Sequence, residues 1–316
     1  MEVSKFVDFK NELRKNIGKV IVGKEDKIDK IIVAFICSGH VLLEDVPGVG
    51  KTKLARTIAK SMDCSFTRIQ FTPDLMPSDL TGIYYFNQKI GEFEYRKGPL
   101  VSQIVLADEI NRTTPRTQSA LLESMEERQI TVEGETKKLP KPFFVIATQN
   151  PVEQFGTFPL PEAQLDRFFI KLSMGYPEYS EERAILDRFI SEDPIEEIKA
   201  VVTKEDIEYV QSNYTKVFVS DDIKNYILNI VFKTRNDENI EMGCSPRASL
   251  SLMKGSQALA AISGRDYVIP EDVKEMSVHI LSHRIKPVGA STFKNDLSRE
   301  IITNILNDIK APLEKI

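Results

Sequence analysis

The sequence has little with which to staple or metallate a small domain. Its three cysteines, Cys37, Cys64 and Cys244, show no CxxC spacing, and the three histidines, His40, His279 and His283, complete no zinc set. A zinc framework is therefore excluded, and the thiols read as reduced and structural. No apolar run approaches the ~20 residues of a membrane span, and the opening Met-Glu-Val-Ser-Lys-Phe lacks the apolar region of a signal peptide. The expectation is a cytoplasmic chain without membrane insertion. Basic excess is also missing. The 42 Lys and Arg against 47 Asp and Glu leave a net charge of -5, which gives no overall electrostatic footprint for nucleic acid. No repeat at the roughly 20–50-residue periods of solenoids is present, and no low-complexity stretch.

What is there is ordinary globular material: 316 residues, 41% hydrophobic and 28% charged, long enough for roughly two domains of about 150 residues. The first half alternates short apolar runs with helical stretches, the pattern of an α/β fold with a mostly parallel sheet. Strands are expected at Val41 to Leu43, Phe66 to Ile69, Ile104 to Ala107, Phe143 to Thr148 and Phe169 to Leu172. After Gly175-Tyr176-Pro177 the strand signals fade and i, i+3, i+4 spacing takes over. This predicts an α/β core over 1–176 and an all-helical domain over 177–316. Ser245-Pro246 and Ile269-Pro270-Glu271-Asp272 place proline where a first helical turn tolerates it. Leu297, Ile301, Ile305 and Ile309 share a face of the final helix. Two inserts in the core read as β-hairpins, 83–96 around Asn87 and Gly91, and 129–139 around Glu133-Gly134; surface decoration is the plainer account of both.

Strand, glycine loop, helix is the context in which Pro47-Gly48-Val49-Gly50-Lys51-Thr52 acquires chemistry. Such a loop turns backbone N–H groups onto phosphate oxygens, and the helix N-terminus adds partial positive charge. Lys51 is expected on the β- and γ-phosphates of ATP and Thr52 on Mg²⁺. Candidate nucleotide-binding residues are Pro47, Gly48, Val49, Gly50, Lys51, Thr52 and Lys53. Asp45 stands where GxxxxGK[ST] has its first glycine, so the turn is expected to rely on Asx chemistry and Pro47.

The apolar run Ile104 to Ala107 ends in Asp108-Glu109. Asp108 is placed to hold Mg²⁺ or its water, and Glu109 to orient and deprotonate the attacking water. The run Phe143 to Thr148 ends at Gln149-Asn150-Pro151, so Asn150 reads either as a ligand of the γ-phosphate and lytic water or as part of an Asn-Pro turn. Arg167, in Leu160 to Phe168, reads as an arginine finger acting across a subunit interface or as a local ion-pair partner. Arg247 follows Ser245-Pro246 at a helix start, where a cation opposes the dipole. Glu241 or another acid could neutralise it; the triphosphate is the favoured anion.

These strings resemble the MoxR family of AAA+ ATPases, over essentially the whole chain. Leu42 to Thr52, Asp45 included, resembles its Walker A; Ala107-Asp108-Glu109-Ile110-Asn111-Arg112 its Walker B; Ile146 to Pro151 its sensor 1; Leu160 to Phe168 its arginine-finger segment; and Ser245-Pro246-Arg247-Ala248 its sensor 2. Val22-Gly23 resembles the segment that packs near adenine. The resemblance implies a P-loop AAA+ core with a helical lid carrying Arg247, a hexameric ring with ATP at subunit interfaces, Arg167 entering the neighbour's site, and both hairpins facing the pore. It implies chaperone-like action on a von Willebrand factor A domain protein, aiding assembly or metal insertion.

Remodelling of a protein client is the leading expectation. A nucleic-acid motor is the alternative, disfavoured because Glu92, Glu94, Glu133 and Glu135 offset Lys89, Arg96, Lys137 and Lys138 on the hairpins. A nucleotide-dependent switch with little turnover is a third.

Overall fold

Short, near-continuous apolar runs, buried on both faces, build the centre of the sheet. The computed structural model describes residues 1–150, 156–189, 193–289 and 295–312, so Pro151 of the sensor-1 string lies outside the described residues. In chain order the strands are β1 (Val41–Glu44), β2 (Phe66–Gln70), β3 (Gly82–Asn87), β4 (Glu92–Lys97), β5 (Ile104–Asp108), β6 (Gln129–Val132), β7 (Glu135–Lys138), β8 (Phe144–Gln149), β9 (Ile170–Leu172), β10 (Ile240–Met242) and β11 (Lys286–Pro287). The helices are α1 (Val3–Ile17), α2 (Glu25–Ile36), α3 (Lys51–Ser61), α4 (Pro77–Thr81), α5 (Pro115–Glu127), α6 (Glu162–Leu165), α7 (Tyr179–Arg188), α8 (Lys204–Asn213), α9 (Asp221–Arg235), α10 (Pro246–Ile262), α11 (Pro270–Leu281) and α12 (Asn295–Asp308).

Five strands form one parallel sheet in the order β2-β5-β8-β1-β9. Alternation along each strand divides the core in two. Leu42, Val105, Ala107, Val145 and Ala147 pack on one face with Leu121, Leu122 and Met125 of α5. Val41, Leu43, Leu106, Phe144, Ile146 and Ile170 pack on the other with α1, α2, α3 and the helices of the second half. Because all five strands run the same way, their C-terminal tips emerge on one edge, where open α/β sheets bind ligands. Register sets the neighbours there: Gln70 pairs with Asp108, and Glu44 with Gln149.

The second half is mostly helical but not all-helical as expected: β10 and β11, strands of only three and two residues, too short to show a period, pair in an antiparallel ladder. The proline signals act where they stand: Pro246 and Pro270 open α10 and α11, and the Asp272 carboxylate accepts from the Ile269 N–H at 2.9 Å as a cap. Both inserts are hairpins, β3–β4 with Ile83 opposite Arg96 and β6–β7 with Gln129 opposite Lys138. Among the described residues, no helix is long and apolar enough to cross a membrane.

Candidate nucleotide site

Between β1 and α3 the chain must turn from strand to helix in six residues. Gly48 (φ +89°) and Gly50 (φ +84°) take left-handed backbone, and a Cβ on either would project into open space rather than into protein. That space is a cleft of about 610 Å³, lined by Pro47 to Lys53 together with Asp108, Glu109 and Asn150 from the tips of β5 and β8. The first N–H groups of α3 have no helical partner, which makes this end an anion site. The Lys51 ammonium donates to the Asp45 carbonyl at 3.0 Å, while Lys53 pairs with Asp193 at 2.9 Å and lies 3.8 Å over the Phe189 ring.

Asp45 does not close an Asx turn on its own loop, contrary to the expectation. Its carboxylate is buried, 4% exposed, and accepts from the Ser173 hydroxyl (2.7 Å), the Met174 N–H (2.8 Å) and the Gly175 N–H (3.0 Å). The residue in the first-glycine position therefore ties the root of the phosphate loop to the chain leaving β9, the neighbouring strand.

Val20, Ile21, Val22, Ile185 and Phe189 also line the cleft and give it apolar surface suited to a base. Gly23, outside the cleft lining, has φ +68°, the left-handed backbone that favours glycine, and packs against the Glu181 side chain of α7. Lys24 completes the clasp by donating to Glu181 at 3.2 Å and to the Tyr176 carbonyl at 3.1 Å.

The two carboxylates of β5 have separate surroundings. Asp108 Oδ1 accepts from the Thr148 hydroxyl at 2.6 Å, and Oδ2 from Arg68 Nη2 at 2.7 Å and Nε at 3.1 Å. Glu109 sits in left-handed backbone (φ 57°, ψ 51°), uncommon for a residue with a side chain and costing about 1–2 kcal/mol. Its N–H donates to Thr148 Oγ1 at 2.8 Å, which helps hold it there. That backbone turns its carboxylate onto Gln70 Nε2 at 2.7 Å and Arg112 Nε at 3.2 Å. Thr52 and Asp108 both offer oxygen donors to the cleft, the chemistry that Mg²⁺ takes. Among the described residues, no group of three or more His, Cys, Asp or Glu could hold a metal ion.

Sequence reasoning missed Arg68, Gln70, Thr148 and Phe189. A signal existed for the first two: with Ile69 buried between them, period two puts Arg68 and Gln70 on one face of β2 at its functional end.

The remaining two candidates lie apart from the cleft. Arg167, just beyond the single turn of α6, pairs through Nε with Glu126 Oε2 at 3.2 Å. Arg247 bonds the other oxygen of the same carboxylate and approaches Asp166 at 3.9 Å. Within the subunit Arg247 thus faces two carboxylates, Glu126 and Asp166, while Glu241 takes Lys286 at 2.7 Å. Beneath this cluster the buried Arg284 holds Asp166 at 2.8 Å and the Phe168 carbonyl at 2.7 Å, fixing the helical half to the arginine segment.

A family model described as ATPase family associated with various cellular activities (AAA) matches residues 40–170, and one described as AAA lid domain matches residues 232–305. The chain is 50% identical over 300 residues to the uncharacterized protein YeaC of Bacillus subtilis, covering 95% of this chain and 94% of that one. It is 40% identical over 306 residues to Chaperone MoxR1 of Mycobacterium tuberculosis, covering 94% and 80%. A crystal structure of a protein from Cytophaga hutchinsonii superposes with a TM-score of 0.88 at 40% identity, over 98% of each chain.

Proposed function

Because the chain belongs to the MoxR family of AAA+ ATPases, we propose that it hydrolyses ATP in a Mg²⁺-dependent reaction and spends the energy on remodelling or assembling a protein client. The observation that carries this is the convergence of the phosphate loop, Asp108, Glu109 and Asn150 on one cleft that also has apolar lining. The triphosphate lies along Pro47 to Thr52 with Lys51 on its terminal phosphates, and the base lies between Val22 and Phe189. Thr52 and Asp108 would hold Mg²⁺, which would withdraw charge from the phosphate oxygens. Glu109 takes the proton of the attacking water, and Asn150 orients that water against the γ-phosphate.

Arg167 and Arg247, which could meet the charge that develops on the transferring group, sit together on Glu126 rather than among the residues lining this cleft. Both belong to one edge of the subunit, which supports a ring, hexameric by family resemblance, in which that edge meets a neighbour's cleft. Arg247 then serves the neighbour alongside Arg167 rather than its own lid. The client, from family resemblance alone, is a von Willebrand factor A domain protein. A nucleic-acid motor is the weaker reading: Lys137 on the second hairpin is committed to Glu135 at 2.9 Å and lies 4.7 Å over the Tyr95 ring.

The test is Glu109→Gln. Turnover should fall by about 10²–10⁴-fold while ATP stays bound, and the client should be retained on the ATP-loaded variant. Unchanged turnover refutes the base assignment; a DNA-stimulated, salt-sensitive rate in the wild type refutes the client reading.

A further inference from the structure

Arg68 is absorbed by none of the roles above, yet it lines the phosphate cleft. Its guanidinium makes a fork on a single oxygen, Asp108 Oδ2, through Nη2 at 2.7 Å and Nε at 3.1 Å. The other oxygen of that carboxylate is taken by the Thr148 hydroxyl at 2.6 Å. Asp108 therefore has both oxygens engaged, and the engaged cation is the half-exposed one: the Arg68 side chain is 48% exposed and that of Asp108 12%. The same Nη2 also donates to Gln70 Oε1 at 2.8 Å, and Gln70 Nε2 donates to Glu109 Oε2 at 2.7 Å. Asp108, Arg68, Gln70 and Glu109 form one unbroken chain of hydrogen bonds across the tips of β2 and β5.

We propose that Arg68 is a positioning residue that stands in for the divalent cation on Asp108 and must leave when the cation arrives. Two positive groups cannot share Oδ2, because a guanidinium and a dication within about 4 Å repel each other even where solvent screens them. Departure of Arg68 also removes the donor that fixes the Gln70 amide. Cation arrival at Asp108 thereby loosens one of the two holds on Glu109, that of Gln70, and leaves the Arg112 pair in place. A neutral side chain at 68 would leave Oδ2 open at all times. The inference rests on the reading of Asp108 as the metal-side carboxylate.

The experiment is a Mn²⁺ titration, followed by electron paramagnetic resonance, of the full chain with a non-hydrolysable ATP analogue. A half-exposed ion pair weighs against the cation by no more than about fivefold in affinity. Arg68→Gln should therefore bind Mn²⁺ about fivefold more tightly than wild type, and Arg68→Lys should stay within about twofold of it. Equal or weaker Mn²⁺ affinity in Arg68→Gln overturns the proposal, as does an equal rise in Arg68→Lys. Asp108→Asn separates the two layers. If it leaves Mn²⁺ affinity unchanged, the reading of Asp108 fails and Arg68 with it; if it weakens Mn²⁺ while Arg68→Gln has no effect, only the Arg68 proposal fails.

Discussion

Replacing Asp45 with glycine restores the first glycine of the phosphate-loop consensus and should nonetheless damage the protein. The carboxylate accepts three hydrogen bonds at 2.7–3.0 Å from residues 173–175 and is 4% exposed. Bonds to a charged acceptor contribute roughly 1.5–3 kcal/mol each, and deleting the acceptor leaves the Met174 N–H, itself buried, without a partner. Coupling within one carboxylate and some entry of water reduce the sum, so about 3 kcal/mol is the expected loss for Asp45→Gly. With an unfolding entropy near 2 cal/mol/K per residue over 316 residues, that lowers Tm by about 5 °C in calorimetry. Asp45→Asn is the sharper variant. Its oxygen can keep Ser173 and Gly175, but its NH₂ then faces the Met174 N–H, so about half the loss is expected. ATP affinity should fall in parallel, since the loop loses its tether to β9. A variant Asp45→Gly that melts at or above the wild-type temperature with unchanged ATP affinity would refute the tether and return Asp45 to the status of a tolerated departure from consensus.

Three further outcomes follow from the same geometry. Mixing Arg167→Ala with Lys51→Ala subunits, each inactive alone, should recover on the order of a tenth of the wild-type ATPase rate, because an arginine supplied in trans is worth ~10³-fold or more; silence at every mixing ratio rules out action across the interface. Glu126→Gln should change unfolding free energy by less than about 1 kcal/mol, since its partners are partly exposed, and should raise the steady-state rate of assembled protein by freeing both arginines; a lower rate at equal stability means that Glu126 positions them instead. Burial, with the nearby charges of Lys27, Arg299 and Lys30, pushes the His279 imidazole down to about 4. Its unfolded value lies near 6.5, so stability is whole above pH 6.5 and falls as pH drops toward 4, by up to about 3 kcal/mol. Urea unfolding at pH 7 and pH 5 should show a smaller difference in His279→Gln than in wild type, and an equal difference removes His279 from the account.

What could be read along the chain was whatever depends on near neighbours in sequence. The strands, the proline-opened α10 and α11, both hairpins and the phosphate loop are each specified within about ten residues, by period, turn chemistry or capping. What could not be read is pairing set by sheet order. Arg68 reaches Asp108 because β2 lies beside β5, forty residues apart in sequence. Asp45 reaches residues 173–175 because β9 lies beside β1. Arg247 finds Glu126 across 121 residues because the helical half packs on the core at Asp166. Acidic and basic residues make up 28% of the chain, so composition offers each cation many partners, and only topology selects one.

The selected pairs share a property that bears on how the site can work. Lys51 on a carbonyl, Arg68 on Asp108, Gln70 and Arg112 on Glu109, and both Arg167 and Arg247 on Glu126 leave few charged groups of the proposed chemistry without a partner inside the subunit. Were these pairs buried, breaking one would cost about 3–5 kcal/mol and the site would be locked. They are not: side-chain exposures of 32% for Arg167, 45% for Arg247, 48% for Arg68 and 39% for Arg112 keep each near the ~0–1 kcal/mol of a solvated pair. Triphosphate, cation and a neighbouring edge can each replace such a partner at small net cost. Arg284 is the counterexample that makes the contrast meaningful. Its side chain is 2% exposed, is bonded to Asp166, and also donates to the Ile280 and Phe168 carbonyls. It fixes the platform on which the exchangeable arginines are mounted, so substitution of Arg284 should abolish folding of the junction, whereas substitution of Arg167 or Arg247 should abolish catalysis and leave the fold.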